Sequence, residues 1–231
     1  MHAQPPVLTF EDVTIESVPP YNSGVWNANL VINPADLVLV RLESEHSSLP
    51  LADGASGLIH PDEGKITFGG RSWQDMSADE GSRARAKIGR VFADGGWISS
   101  MDIDENILLA QRHHSRRPDS LIMDEAAQLA LVFGLPGLPR GSPAQARRQD
   151  LRMAACVRAF LGEPILIILE RPTVDVQSEI MPGLMHSIRS VRDRGGAVLW
   201  LTAESEVWND PGIRPTRTYL MSGSQLLPVE R

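Results

Sequence analysis

Apolar and polar residues alternate unevenly over residues 7–15, and a second short apolar run occupies 28–32. Both suit strands of an antiparallel layer with one solvated face. Leu37-Val38-Leu39-Val40 is a compact apolar run, as a strand buried on both faces requires. A polar turn follows, and residues 49–58 have helical character, with Pro50 in a first turn where its missing N–H is tolerated. Residues 60–64 form a turn signal, 65–68 a strand that ends at Gly69-Gly70, and 88–92 a further strand.

From residue 102 to 160 the period becomes helical. Asp104 is placed to cap a segment running to Gln111, and Asp119 or Ser120 to cap one ending at Gly134. A loop rich in Gly and Pro (134–143) precedes a long helix that runs through Arg158. The run 165–169 reads as a buried strand, 177–192 as a helix whose first turns Pro182 and Gly183 should disturb, and 197–201 as another buried strand. Residues 217–221 and 225–229 flank Ser222-Gly223-Ser224 as a hairpin. Strands interleaved with helices predict one α/β domain over 1–231, with a helical subdomain of about 94–160 inserted in its core.

Composition narrows the function. The net charge of −7 argues against nucleic acid as a partner, because phosphate binding needs a concentrated positive field. The single cysteine, Cys156, excludes an internal disulfide, and its setting predicts a small residue buried on a helix. His113-His114 lies among arginines and reads as solvated surface; no metal site is expected. Residues 1–6 lack the basic start and apolar core of a signal peptide, and no apolar run approaches the ~18 residues of a spanning helix. A cytoplasmic location is expected.

The stretch Ile165-Leu166-Ile167-Ile168-Leu169-Glu170-Arg171-Pro172-Thr173 carries the most chemistry. It delivers a carboxylate to the carboxyl edge of a parallel sheet, where α/β proteins keep their ligands. A pairing of Glu170 with Arg171 at the strand end is one purely structural use of these charges. The stretch resembles the Walker B strand of ABC-transporter ATPases, usually ending in Asp-Glu-Pro-Thr. The order of elements is similar to that family's RecA-like P-loop NTPase core with an antiparallel β subdomain and an inserted helical subdomain, over nearly the whole chain. Further matches are Asp62-Glu63-Gly64, Val91-Phe92, Val157-Arg158-Ala159 before Glu163-Pro164, and Met221-Ser222-Gly223.

The resemblance implies where the ATP chemistry would lie, and this chain departs from the pattern at each station. The Walker B acid reads as Glu170 and the water-activating Glu as Arg171. Counting back from Pro61-Asp62-Glu63-Gly64-Lys65-Ile66 puts the eight-residue phosphate loop at 42–49. A working loop reads G-x-x-x-x-G-K-[ST], so that backbone N–H groups, a Lys and a hydroxyl surround phosphate and magnesium. Here those positions are Leu42, Ser47, Ser48 and Leu49, with Glu43 and Glu45 added to repel a triphosphate. Losing the Lys and one or two loop contacts should weaken binding by about 3–6 kcal/mol, roughly a hundred- to ten-thousand-fold. Ala93 stands at the Q-loop Gln, Arg147, Arg148 and Gln149 at the Ser-Gly-Gly of the signature, Gln177 at the D-loop Asp, and Ala203 at the switch His.

The resemblance therefore implies a degenerate cassette, a pseudo-ATPase with no nucleotide cofactor expected and no catalytic residues retained. Such a chain would serve as a structural or regulatory partner in an ABC transport complex, peripheral at the cytoplasmic face of the inner membrane. Its partners would be a membrane permease, another ATPase subunit or a second copy in a dimer. Phe92-Ala93-Asp94-Gly95-Gly96-Trp97-Ile98 is similar to the Q-loop of Mla/Mce-type lipid-transport ATPases, which implies lipid transport. Trp97, Ile98 and Met101 then fall where a permease would dock, although Trp97 also suits the interior. The alternative is a divergent subunit that binds and hydrolyses Mg-ATP through an unorthodox site, with Arg147 and Arg148 on a partner's phosphates.

Overall fold

The structure, a computed structural model, describes residues 4–43, 46 and 49–230. Among the described residues ten strands form two sheets. The antiparallel sheet has the order β2-β1-β4-β5, from β1 (Leu8–Ile15), β2 (Val25–Ile32), β4 (Glu63–Phe68) and β5 (Arg71–Ser72). The second sheet has the order β10-β9-β3-β8-β7-β6. Its strands are β3 (Leu37–Leu42), β6 (Ile88–Val91), β7 (Leu166–Glu170), β8 (Ala197–Thr202), β9 (Arg217–Ser222) and β10 (Gln225–Val229). Only β10 runs antiparallel to its neighbour there.

The continuous apolar runs earn their place by feeding two cores at once. Leu37 and Leu39 of β3, Ile167 and Leu169 of β7, and Val198 and Trp200 of β8 face the helices. Their alternates Val38, Val40, Leu166, Ile168, Ala197 and Leu199 face the antiparallel sheet, packing with Leu8, Phe10, Leu30 and Ile66. Side chains on a strand alternate between faces, so a strand covered on both sides must be apolar at every position. Three helices enter between β6 and β7: α3 (Ile103–His114), α4 (Asp119–Val132) and α5 (Arg148–Phe160). The α/β class with an antiparallel layer and a helical insertion is thus the observed architecture.

Several local expectations need correction. The helix expected over 49–58 is the single turn α1 (Leu51–Ala55). It stops because Gly57 adopts φ +63 with the Trp73 ring so close that a Cβ would lie 2.3 Å from it. Asp102, not Asp104, caps α3, closing a capping box with Glu105; Pro118, not Asp119 or Ser120, precedes α4. α6 (Gln177–Asp193) accommodates Pro182 without a break, and Gly183 is small because the Val132 carbonyl of α4 packs on it. Two helices, α2 (Ala78–Arg85) and α7 (Ser205–Asn209), were not expected.

Candidate functional site

The parallel strands β3, β7 and β8 end together, so their carboxyl edges bring Leu42, Glu170 and Leu201 beside one another. A cavity of about 350 Å³ opens there, lined among others by Tyr21, His46, Asp53, Arg90, Phe92 and Arg171. Glu170 does not pair with Arg171 as one reading allowed. Its Oε1 accepts from Arg90 Nε at 2.7 Å, and Arg90 Nη1 reaches Asp53 Oδ1 at 2.5 Å. Tyr21 donates its hydroxyl to the other oxygen of Asp53 at 2.5 Å. The guanidinium lies 4.4 Å from the centre of the Phe92 ring.

This chain of groups is largely withdrawn from water, with the Arg90, Asp53 and Glu170 side chains 9%, 22% and 15% exposed. Burial lifts the Glu170 carboxyl above the usual carboxylate range, with Arg90 pulling in the opposite direction. Burial together with the bond to Asp53 pushes the Tyr21 phenol up to about 12. Burial opposes the charge on Arg90, but its two carboxylates more than compensate and raise it. Arg90 and Arg171 stand against Asp53, Asp94 and Glu170 in the lining, one acid in excess, and Tyr21, Asp53, Arg90 and Glu170 each already have a protein partner.

The described residues of the loop after β3 bond to other parts of the chain. His46 is buried, at 1% exposure. Its Nδ1 accepts from the Glu43 N–H at 3.1 Å, and its Nε2 lies 2.7 Å from the Gly223 carbonyl. Because the first partner only donates and the second only accepts, His46 is the neutral Nε2–H tautomer. Glu43 turns away from the cavity and accepts from Ser222 Oγ and Gly223 N–H, both at 3.2 Å. Arg171, in the left-handed region at φ 48, donates to the His46 carbonyl. Ser47 and Ser48, two of the expected phosphate-loop positions, and Glu45 lie outside the described residues. Leu42 and Leu49, the other two, are buried.

The remaining expected positions are dispersed around this cleft. Ala93 lines it, and Ala203 is exposed just beyond β8. Arg147 and Arg148 are exposed at the start of α5, and Gln149 donates to the Asp175 carbonyl at 3.2 Å. Gln177 opens α6. Trp97 packs partly buried against the helical core, while Ile98 is exposed and Met101 lies between. Asp53, Arg90 and Tyr21 were not identified from the sequence, and His46 fell within the expected 42–49 loop without a role of its own. The one available signal was Arg90, a charge interrupting the apolar strand Ile88-Gly89-Arg90-Val91.

Comparisons with known proteins agree on the fold. No family model matches the chain. It is 29% identical over 129 residues to the intermembrane phospholipid transport system ATP-binding protein MlaF of Escherichia coli K12, covering 56% of this chain and 48% of that one. The probable ribonucleotide transport ATP-binding protein mkl of Mycobacterium tuberculosis H37Rv is 26% identical over 152 residues, covering 65% of this chain and 42% of that one. The chain thus spans about half the length of the curated relatives it matches. A solved dimeric bacterial ABC transporter cassette, MJ0796, superposes with a TM-score of 0.81 at 20% identity, over 95% of this chain and 96% of that one. The same cassette bound to ADP and Pi gives 0.78 over the same coverage.

Proposed function

We propose, for a chain that has the ATP-binding cassette fold of ABC transporters, that it is a catalytically degenerate subunit acting as a structural or regulatory partner in an ABC transport complex. One observation carries this reading: in the described part of the phosphate-loop region, Glu43, His46 and Arg171 are already bonded to other groups of the chain itself. The groups present do not suit a magnesium triphosphate. Leu42 and Leu49 offer no oxygen or positive charge in their side chains, and one oxygen of Glu170, Oε1, is already held by Arg90. An incoming polyphosphate would have to displace Arg171 and meet an acidic cleft. Since a functional ATP site gains its affinity from charge-assisted bonds, their replacement by internal ones removes most of the driving force.

The relatives' names supply the biological setting. A phospholipid transport ATP-binding protein stands among them, so lipid transport is the cargo class we favour. Among the described residues no helix is long and apolar enough to cross a membrane, and attachment would come through a membrane subunit docking at Trp97, Ile98 and Met101. Dimerisation, as in the dimeric cassette, is part of the same reading.

A second reading rests on those same names: the chain binds and hydrolyses Mg-ATP through the altered cleft. One titration separates the two. A ligand present at a hundred times its Kd stabilises a protein by about 2.7 kcal/mol, several degrees in Tm. Millimolar Mg-ATP is expected to leave the melting curve and the calorimetric baseline unchanged. Stabilisation by several degrees, or turnover abolished by Arg171→Ala or Glu170→Gln, would establish the second reading in place of the first.

A further inference from the structure

Two helices carry matched stripes of side chains that face one another. On α4, Glu125, Leu129 and Val132 follow the i, i+4, i+7 spacing of one helix face, and on α6 Ser187, Ser190, Val191 and Arg194 do the same. The helices come closest where the Val132 carbonyl packs on Gly183. Beyond that crossing the two stripes line a cavity of about 250 Å³, with Phe160 at the end of α5 as its third wall. Phe160 and Val191 are buried and Val132 is 40% exposed, so apolar surface runs from the floor to the mouth. The cavity lies at the amino ends of β7 and β8, because Gly162 precedes the first and Arg194 the second. The Glu170 cleft lies at their carboxyl ends, the five residues of β7 or roughly 16 Å away.

The lining holds a buried polar group with nothing to bond. Ser187 is 5% exposed, and among the described residues its hydroxyl has no hydrogen-bond partner. A helical serine either points to solvent or bonds the carbonyl four residues back, as Ser115 does on Gln111 at 2.8 Å. Ser187 does neither. Its oxygen is not sealed in: the fully enclosed side-chain atoms without a partner are the indole nitrogens of Trp73 and Trp200. It opens onto the cavity. Arg194 stands over the same space, and its Nη1 donates to Ser190 Oγ at 2.7 Å, which draws the guanidinium back along α6. Ser190 follows Ser187 by three residues, about 4.5 Å of rise, so a cationic fork and a free hydroxyl stand one turn apart. Among the described residues no carboxylate pairs with Arg194. Glu125, the acid of the lining, already accepts from the Gly162 N–H at 2.8 Å and pairs with Arg117 at 2.6 Å. His186 and Gln128 stand exposed at the rim.

We propose that this cavity binds a small monocarboxylic acid with a short apolar chain, its carboxylate bridging Arg194 and Ser187 and its chain lying on Leu129, Phe160 and Val191. A few polar groups converging at the end of an apolar hollow are what a small-molecule site needs. The volume falls just below the ~300 Å³ at which such sites begin, which limits the chain to a short one. A guanidinium fork matches the two oxygens of a carboxylate. One unpaired cation suits one negative charge, and Glu163, exposed in the adjoining hollow with Glu125, disfavours a dianionic phosphate. The site is separate from the Glu170 cleft and does not depend on how that cleft is read.

The test titrates the isotope-labelled full chain with sodium octanoate and follows its amide proton–nitrogen correlation spectrum. Saturable shifts are expected in residues 125–132, 160–162 and 186–194, with the amides around Glu170 unmoved. Octanol and octyl phosphate, which keep the chain and change the head, should bind about ten-fold more weakly or worse. Arg194→Gln should weaken octanoate about ten-fold, since a charge-assisted bond is lost, and Arg194→Lys should restore part of it. Arg194 is exposed at the end of its helix, so both variants keep the fold. Ser187→Ala, which removes only the hydroxyl, should weaken binding about three-fold or more. Shifts that never saturate, equal binding of octanol, or unchanged affinity in Arg194→Gln or Ser187→Ala overturns the proposal. Octyl phosphate binding more tightly than octanoate overturns it too, because the head would then be a phosphate.

Discussion

Arg90→Met is expected to destabilise the protein by about 3–5 kcal/mol, because it strands two largely buried carboxylates without their cation. Asp53 and Glu170 would remain beside each other near a low-dielectric wall, with only Tyr21 donating to Asp53. For a chain of this length that corresponds to a fall of roughly 10 °C in Tm, read by thermal or urea unfolding. Adding Asp53→Asn and Glu170→Gln to the Arg90 variant should recover most of the loss, since replacing a buried ionic cluster as a unit is far less costly than breaking it. A loss below about 1 kcal/mol for Arg90→Met alone would mean that water reaches the cleft and screens the pair.

The pH dependence has a definite sign. Burial already holds the Glu170 carboxyl above its ordinary value in the intact protein. Between the unfolded value, about 4.3, and the higher folded one, the native state binds more protons than the unfolded state, so this residue's contribution to stability falls as pH rises. Glu170→Gln should flatten that part of the profile. In Arg90→Met the carboxyl loses the group that opposes its elevation, so the folded value rises further. The variant should therefore regain stability as the solution is acidified from neutrality towards the unfolded carboxylate range.

The strands were legible in the sequence because burial on both faces forces unbroken apolar runs, as in β3, β7 and β8. The two missed helices lack that signature. Only Gly81 is buried in α2, so no apolar stripe marks it; it is held instead by the Ser77–Glu80 capping box, with Arg71 paired to Glu80. Ser77 and Glu80 have the S-x-x-E spacing of a capping box, but no apolar run follows them to mark a helix. α7 is a single short turn with one buried residue, Val207.

The site was legible only in part, for a different reason. The strand end at Glu170 could be read locally, because a β-strand declares its own carboxyl edge. Its partner could not: Arg90 lies 80 residues away from Glu170 and 37 from Asp53 in sequence. Arg171 likewise reaches across 125 residues to His46. Such pairings are set by the order of strands in the sheet, β3-β8-β7-β6, and sequence spacing carries no trace of that order. The departures from the phosphate-loop pattern were visible residue by residue, whereas the replacement network built from Tyr21, His46, Asp53 and Arg90 required the fold.

Trp200→Ala is expected to cost about 3–5 kcal/mol, the range for deleting a fully buried large aromatic side chain. Trp200 has no exposure and lies in register between Leu39 of β3 and Leu169 of β7. It therefore braces the two strands whose ends carry Leu42 and Glu170. The informative comparison is Trp200→Phe. Among the described residues the Trp200 indole N–H is buried with no hydrogen-bond partner, an omission worth about 1–3 kcal/mol against the native state. Phenylalanine removes that unpaired donor while keeping most of the ring's apolar surface, so the two effects offset and the net change should stay within about 1.5 kcal/mol. Chemical denaturation of both variants would decide it. If Trp200→Phe proved as damaging as Trp200→Ala, the indole N–H must be bonded in solution, and the brace between β3 and β7 would depend on a polar contact rather than on packing alone.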